Sequence, residues 1–220
     1  MSDFSGYGFP SETRARERDV PALLGQVMFL VGLAIGFLAL GSYIGRDLAI
    51  GTARVLSFAG FGMLLVSSFA GQRFRVGPFA IGWLFGTSLV IGLGLGPWLS
   101  YAASNEQHAF TQAAAATALV VVGMGALGFA TSKDLARWMR PLSIIVFGAV
   151  LVSFVLVLFA SGGNPIISIV IGGLSAALIA VDFNYLRKHG TEADAVWLAT
   201  GIFVSIVNIF LSLLNLFSRG

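Results

Sequence analysis

The sequence contains no cysteine, and only 10 % of its 220 residues carry a charge. Without cysteine there is no disulfide, no thiolate nucleophile and no Cys-ligated zinc, and the redox compartment is not encoded. Lysine occurs only as Lys133 and Lys188, both in short polar turns. A seven-helix retinal protein needs a Schiff-base lysine within a span, so that class is excluded. His108 and His189 stand far apart at the ends of apolar runs, read as interfacial, and make no metal site. There is no HExxH, no GxSxG and no paired-acid constellation, so an enzyme is not expected. Gly92, Gly94 and Gly96 follow no strand and precede no acceptor acid, which removes them as a nucleotide fingerprint.

Apolar sequence is what the chain has in plenty. Hydrophobic residues make up 57 %, above the roughly 45–50 % usual in soluble domains. The charges cluster between apolar runs of about 20 residues, the length that crosses ~30 Å of hydrocarbon. The fold class read from this is all-α: a polytopic membrane protein built as a seven-transmembrane-helix bundle. The spans are Pro21–Gly45, Leu48–Ala70, Gly77–Tyr101, Gln107–Thr131, Trp138–Ala160, Pro165–Leu186 and Ala195–Phe217. Residues 1–20 form a polar arm, flexible or surface-lying, and residues 21–217 form one transmembrane domain. A cleaved signal peptide is not expected, because the first apolar run exceeds the ~7–15 residues of such a leader's core. The lipid bilayer is the first partner. The formal charge of +3 comes from residues bordering spans, so no nucleic-acid partner is expected.

The side of the amino terminus holds Arg14, Arg16, Arg18, Arg73, Arg75, Lys133, Arg137, Arg140, Arg187 and Lys188, while Arg46 and Arg219 lie opposite. This asymmetry predicts a cytoplasmic amino terminus and an outside carboxyl terminus. Pro21, Pro78, Pro141 and Pro165 each sit at or near the start of a span, and Pro97, after three glycines, is read as a kink or fraying point. Short connections predict consecutive helices as antiparallel neighbours. Gly32/Gly36, Gly41/Gly45 and Gly82/Gly86 are spaced for close helix approach, inside one bundle or, as the minority reading, at a homodimer face.

Two features stand out within the spans. Asp182 is the one acid of the sixth, near its cytoplasmic end. It either pairs with Arg187 or a loop base, or forms an ion or proton site at a vestibule. Ser205, Asn208, Ser212 and Asn215 recur along one face of the seventh helix, as interhelical hydrogen-bond partners or as the lining of a path. An uncharged seventh helix with such a face is expected inside the bundle rather than at its rim.

The run Asp182-Phe183-Asn184-Tyr185-Leu186-Arg187-Lys188-His189, followed by Ile202-Phe203-Val204-Ser205-Ile206-Val207-Asn208-Ile209-Phe210, resembles the signature of the Bax inhibitor-1 family (transmembrane BAX inhibitor motif proteins), in a bacterial form. The seven-span plan and the glycines and proline ending the third span are similar too. The resemblance implies a bundle with the seventh helix central and a pH-sensitive calcium leak governed by two aspartates that share a proton. It also implies an arginine latch at the cytoplasmic end of the second helix, where Arg73 or Arg75 fits. Asp182 matches the first aspartate, whereas Ser205 stands where the second should be. A serine cannot share a proton with an aspartate as a second carboxyl does. Calcium takes six to eight oxygens, usually with several carboxylates, so Asp182 would hold it weakly. No other cofactor is expected.

The expected function is therefore a pH-sensitive leak for calcium or protons, with Asp182, Ser205, Asn208, Ser212 and Asn215 along the path. The alternative is a non-conducting interaction protein, either a regulator of membrane protein quality control or a scaffold subunit of a larger membrane complex. The missing aspartate favours the alternative. A secondary transporter would need a repeated pair of broken helices to locate its substrate, and none is evident.

Overall fold

A computed structural model describes the chain over residues 12–69, 71–159 and 164–218. These residues form seven long helices and no strand. They are α1 (Glu12–Gly45), α2 (Ile50–Phe69), α3 (Pro78–Asn105), α4 (Gln107–Ala130), α5 (Ala136–Phe159), α6 (Pro165–Lys188) and α7 (Ala195–Phe217). All seven are long and apolar enough to cross a membrane. The physical reason is that hydrocarbon offers backbone N–H and C=O groups no partner, so each segment must satisfy its own.

The helix ends show where local chemistry decides. Asn164 caps α6, its Oδ1 accepting from the amides of Ile166 (2.9 Å) and Ile167 (3.4 Å), and Pro165 takes the first helical position. Residues 1–11 of the polar arm lie outside the described residues. From Glu12 the basic stretch is already helical and runs into the first span, which begins at Val20, so Pro21 stands at the start of the span but inside α1. Pro141 likewise falls inside α5. Nor does α3 end at Pro97. It continues to Asn105, because unwinding would leave more backbone groups unpaired than the one hydrogen bond the proline removes.

Neighbours in sequence are not always neighbours in space. The main partner of α1 is α3, and that of α4 is α6, whereas α2 lies on α3 and α5 on α6. Glycine explains the exchange. A Cβ added at Gly41, Gly45, Gly92 or Gly96 would land on the backbone of the facing helix in the α1–α3 crossing, and one at Gly128 would land on Ala180 of α6. These backbones touch only because no side chain stands between them. By contrast, a Cβ at Gly32, Gly36 or Gly82 meets nothing. Gly92→Leu should therefore push α1 from α3 and destabilise the bundle by roughly 1–3 kcal/mol, the usual cost of overpacking. Gly32→Ala should change it by less than about 0.5 kcal/mol. Thermal unfolding in detergent compares the two.

Helix α7 is the axis of the fold. It touches α1, α3, α4 and α6, and it has the largest buried share of the seven spans, 44 % against 11 % for α5. Leu198, Ile202, Phe203, Ile209 and Leu214 of α7 are all fully enclosed. The α1–α2–α3 and α4–α5–α6 groups clasp it from two sides, which brings the faces of α2, α5 and α6 together over one flank of α7.

Candidate functional site

Asp182 lies six residues before the end of α6 and is 6 % exposed. Its carboxylate rests against α7 at a glycine: Oδ2 is 3.3 Å from where a Cβ on Gly201 would be. Among the described residues none hydrogen-bonds this carboxylate. Pairing with Arg187 does not occur. The Arg187 guanidinium turns away and donates to the Thr131 carbonyl at 2.8 Å.

What the carboxylate faces is a cavity of about 250 Å³. Each surrounding helix contributes one stripe at helical spacing. From α2 come Ser57, Phe61, Leu64 and Ser67; from α5 come Met139, Ser143, Val146, Phe147 and Val150. The α7 wall includes Trp197, Thr200, Gly201, Ser205 and Asn208. Phe61 and Phe147 stack at 4.7 Å between ring centroids and join α2 to α5 across the cavity. The lining is mostly hydrocarbon, with the side chains of Ser57, Ser67, Arg75, Ser143, Thr200, Ser205 and Asn208 as its other polar groups, and among the described residues Asp182 is its one carboxylate.

The two candidate latch arginines have different places. Arg75 lines the cavity. Arg73 is exposed, with its guanidinium 5.0 Å from the centre of the Phe79 ring. The segment carrying both is turned at each end by a glycine with positive φ, Gly71 (81°) and Gly77 (87°), a conformation other residues avoid. The four-residue stripe of α7 divides as well. Ser205 and Asn208 line the cavity, whereas Ser212 and Asn215 engage α6 further along. Ser212 packs on Gly172, and Asn215 Nδ2 donates to Ser168 Oγ at 2.7 Å.

Sequence reasoning missed Asn184, which is fully buried. Its Oδ1 accepts from the Leu135 amide (2.9 Å), and its Nδ2 reaches the carbonyls of Gly128, Thr131 and Lys133 (each 3.1 Å). Lys188 Nζ donates to the Ser132 carbonyl, and His189 Nε2 is 2.6 Å from Asp134 Oδ2. The end of α6 thus holds the whole α4–α5 turn, and that turn sets where α5 and its cavity stripe begin. A signal for this was present. No glycine follows α4 to close its last carbonyls, so another side chain must supply donors. Ser57, Ser67, Ser143, Thr200 and Gly201 were also missed, because single small residues in a span carry no pattern of their own.

The Asp134 carboxyl is held below its ordinary value, first by the Ala136 amide and then by His189. A depressed folded value means the carboxylate favours the folded turn above its unfolded value of about 3.9, and that contribution fades as pH falls through the lower folded one. Below about pH 4 the turn should loosen, and Asp134→Asn should remove the pH dependence. Amide hydrogen exchange at Ala136 reads this directly.

A seven-helix bundle with one unbonded acid and polar side chains around an internal cavity defines a multi-pass membrane protein with a buried polar site. Residues 20–220 match the family described as "Inhibitor of apoptosis-promoting Bax1", and the chain belongs to that family. It is 29 % identical over 212 residues to an uncharacterized protein of Pseudomonas aeruginosa, covering 92 % of this chain and 91 % of that one. An uncharacterized membrane protein of Streptococcus pyogenes is 26 % identical over 130 residues, 56 % of this chain and 55 % of its own. A protein of Lactococcus lactis is 30 % identical over 127 residues, 54 % of this chain and 53 % of its own.

Proposed function

We propose that the protein is a pH-responsive ion leak of the bacterial inner membrane, with a cytoplasmic amino terminus and the cavity open to the cytoplasm beside Arg75. The observation that carries this reading is the Asp182 carboxylate, buried within the bundle, without a hydrogen-bond partner among the described residues, and facing a cavity shared with Ser205, Asn208 and Arg75. A polar group so placed in a membrane protein needs water or a permeating ion to solvate it. Protonation of Asp182 changes the charge an entering cation meets, and Arg75 is the latch-like cation on the same wall.

Calcium is treated as cargo. One carboxylate with the Ser205 hydroxyl and the Asn208 amide oxygen makes too few ligands to retain it, so calcium entering the cavity should bind only weakly. Ser205→Asp would add a second carboxylate one turn from Gly201. It should strengthen calcium dependence by about tenfold, equivalent to roughly 1.4 kcal/mol of added attraction. An unchanged response would show that the two positions do not act on one ion.

Reconstitution into liposomes loaded with a calcium dye or a pH dye tests the reading. Flux above empty liposomes that varies with pH is expected. No flux, together with stoichiometric partners in a mild-detergent pulldown, would replace it with the non-conducting scaffold or quality-control role.

A further inference from the structure

The cavity accounts for Asp182, Ser205 and Asn208 but not for the polar groups that continue beyond them. Ser168, Ser175 and Asp182 recur every seven residues on α6, which on a helix is nearly one face. All three are buried. Both ends of this row touch α7: Ser168 accepts from Asn215, and Asp182 rests at Gly201. Between them Gly172 meets Ser212. The three contacts belong to one antiparallel register, and that register sets Ser175 level with Asn208. The Ser175 hydroxyl is fully enclosed and has no hydrogen-bond partner among the described residues. A buried hydroxyl left unpaired is costly, so its presence calls for a partner that comes and goes.

We infer that the α6–α7 seam is the outer half of a proton path that begins at Asp182, and that the Ser168–Asn215 hydrogen bond is its outer closure. The inference rests on the leak reading and narrows it to a species. From Ser168 to Asp182 the row covers about 21 Å at 1.5 Å per residue, most of the ~30 Å hydrocarbon thickness. Helix packing along it is too tight for a hydrated cation, since Ser212 Cβ is only 3.1 Å from where a Cβ on Gly172 would be. Hydroxyls and amides that exchange hydrogen bonds with single waters can still pass a proton. Ser175 is the link between the cavity, through Asn208, and Ser212. A calcium ion that enters the cavity from the cytoplasm therefore stops at the Asn208 level, and the proton goes on.

The absence of native cysteine makes the test direct. Ser175→Cys, Ser212→Cys and Ser205→Cys are introduced singly, with Ile169→Cys, on the exposed face of α6, as the lipid-facing control. Silver ion is the probe, because it is small and is bound by the thiolate, which forms only where water reaches. Ser175→Cys and Ser212→Cys should react at least about tenfold faster than Ile169→Cys, as water-exposed thiols outpace those in apolar surroundings. If Ser205→Cys reacts rapidly but Ser175→Cys and Ser212→Cys match Ile169→Cys, the cavity stands and the seam is dry, which overturns the inference alone. In liposomes Asn215→Ala should raise proton flux roughly fivefold, the factor for losing one ordinary interhelical hydrogen bond. Ser175→Ala should lower proton flux, and in both variants calcium flux should stay at the level of empty liposomes. Equal changes in both fluxes would contradict a proton-only path.

Discussion

Asp182→Asn should leave the bundle folded and remove the pH dependence of flux. The amide has the size and shape of the carboxyl, and no described residue donates to or accepts from that side chain, so no network is broken by the exchange. What is lost is the single group in the cavity wall that can change charge as a carboxylate. A leak governed by one proton changes by at most about tenfold per pH unit. The native protein should approach that slope over its responsive range, and the variant should be flat. Arg75→Gln should keep the pH response but shift the flux, because it removes the opposing charge without removing the titrating group. A pH response that survives Asp182→Asn would move the sensor elsewhere.

The second large effect is expected from Asn184→Leu, on stability rather than flux. The side chain ties four backbone groups, one amide and three carbonyls, at the junction of α4, α5 and α6. Leucine fills the volume but offers nothing to any of them. Leaving buried backbone groups unsatisfied should cost about 2–4 kcal/mol in all, less than four separate losses because the three carbonyls share one NH₂. Asn184→Asp keeps the acceptor for Leu135 and should fall between. Thermal unfolding in detergent, with hydrogen exchange at Leu135, distinguishes a loosened turn from global loss. A cost below about 1 kcal/mol would mean that water replaces these bonds.

The seven spans and the buried position of α7 were legible because hydrocarbon leaves little choice: long apolar runs must be helices, and a polar face must turn inward. Which helices touch was not. Gly41 and Gly45 show that α1 approaches something closely, but only the three-dimensional fit shows that the partner is α3 rather than α2. The same limit applies to the α7 stripe. Helical spacing puts Ser205, Asn208, Ser212 and Asn215 on one face, yet that face crosses from the cavity to α6 along its length. Asn184 was hidden for a different reason. Its partners are all main-chain atoms about 50 residues away, so the missing glycine after α4 signals that donors are needed but not which side chain brings them.

The central claim is that Asp182 is in contact with water inside the protein. Difference infrared spectroscopy of the reconstituted protein across a pH titration tests it most directly. The account predicts a carboxyl C=O stretch that titrates, disappears in Asp182→Asn, and shifts promptly when water is exchanged for D₂O. A band that fails to exchange, or none assignable to Asp182 at any pH, would mean that the carboxyl is sealed from water, and would contradict the account.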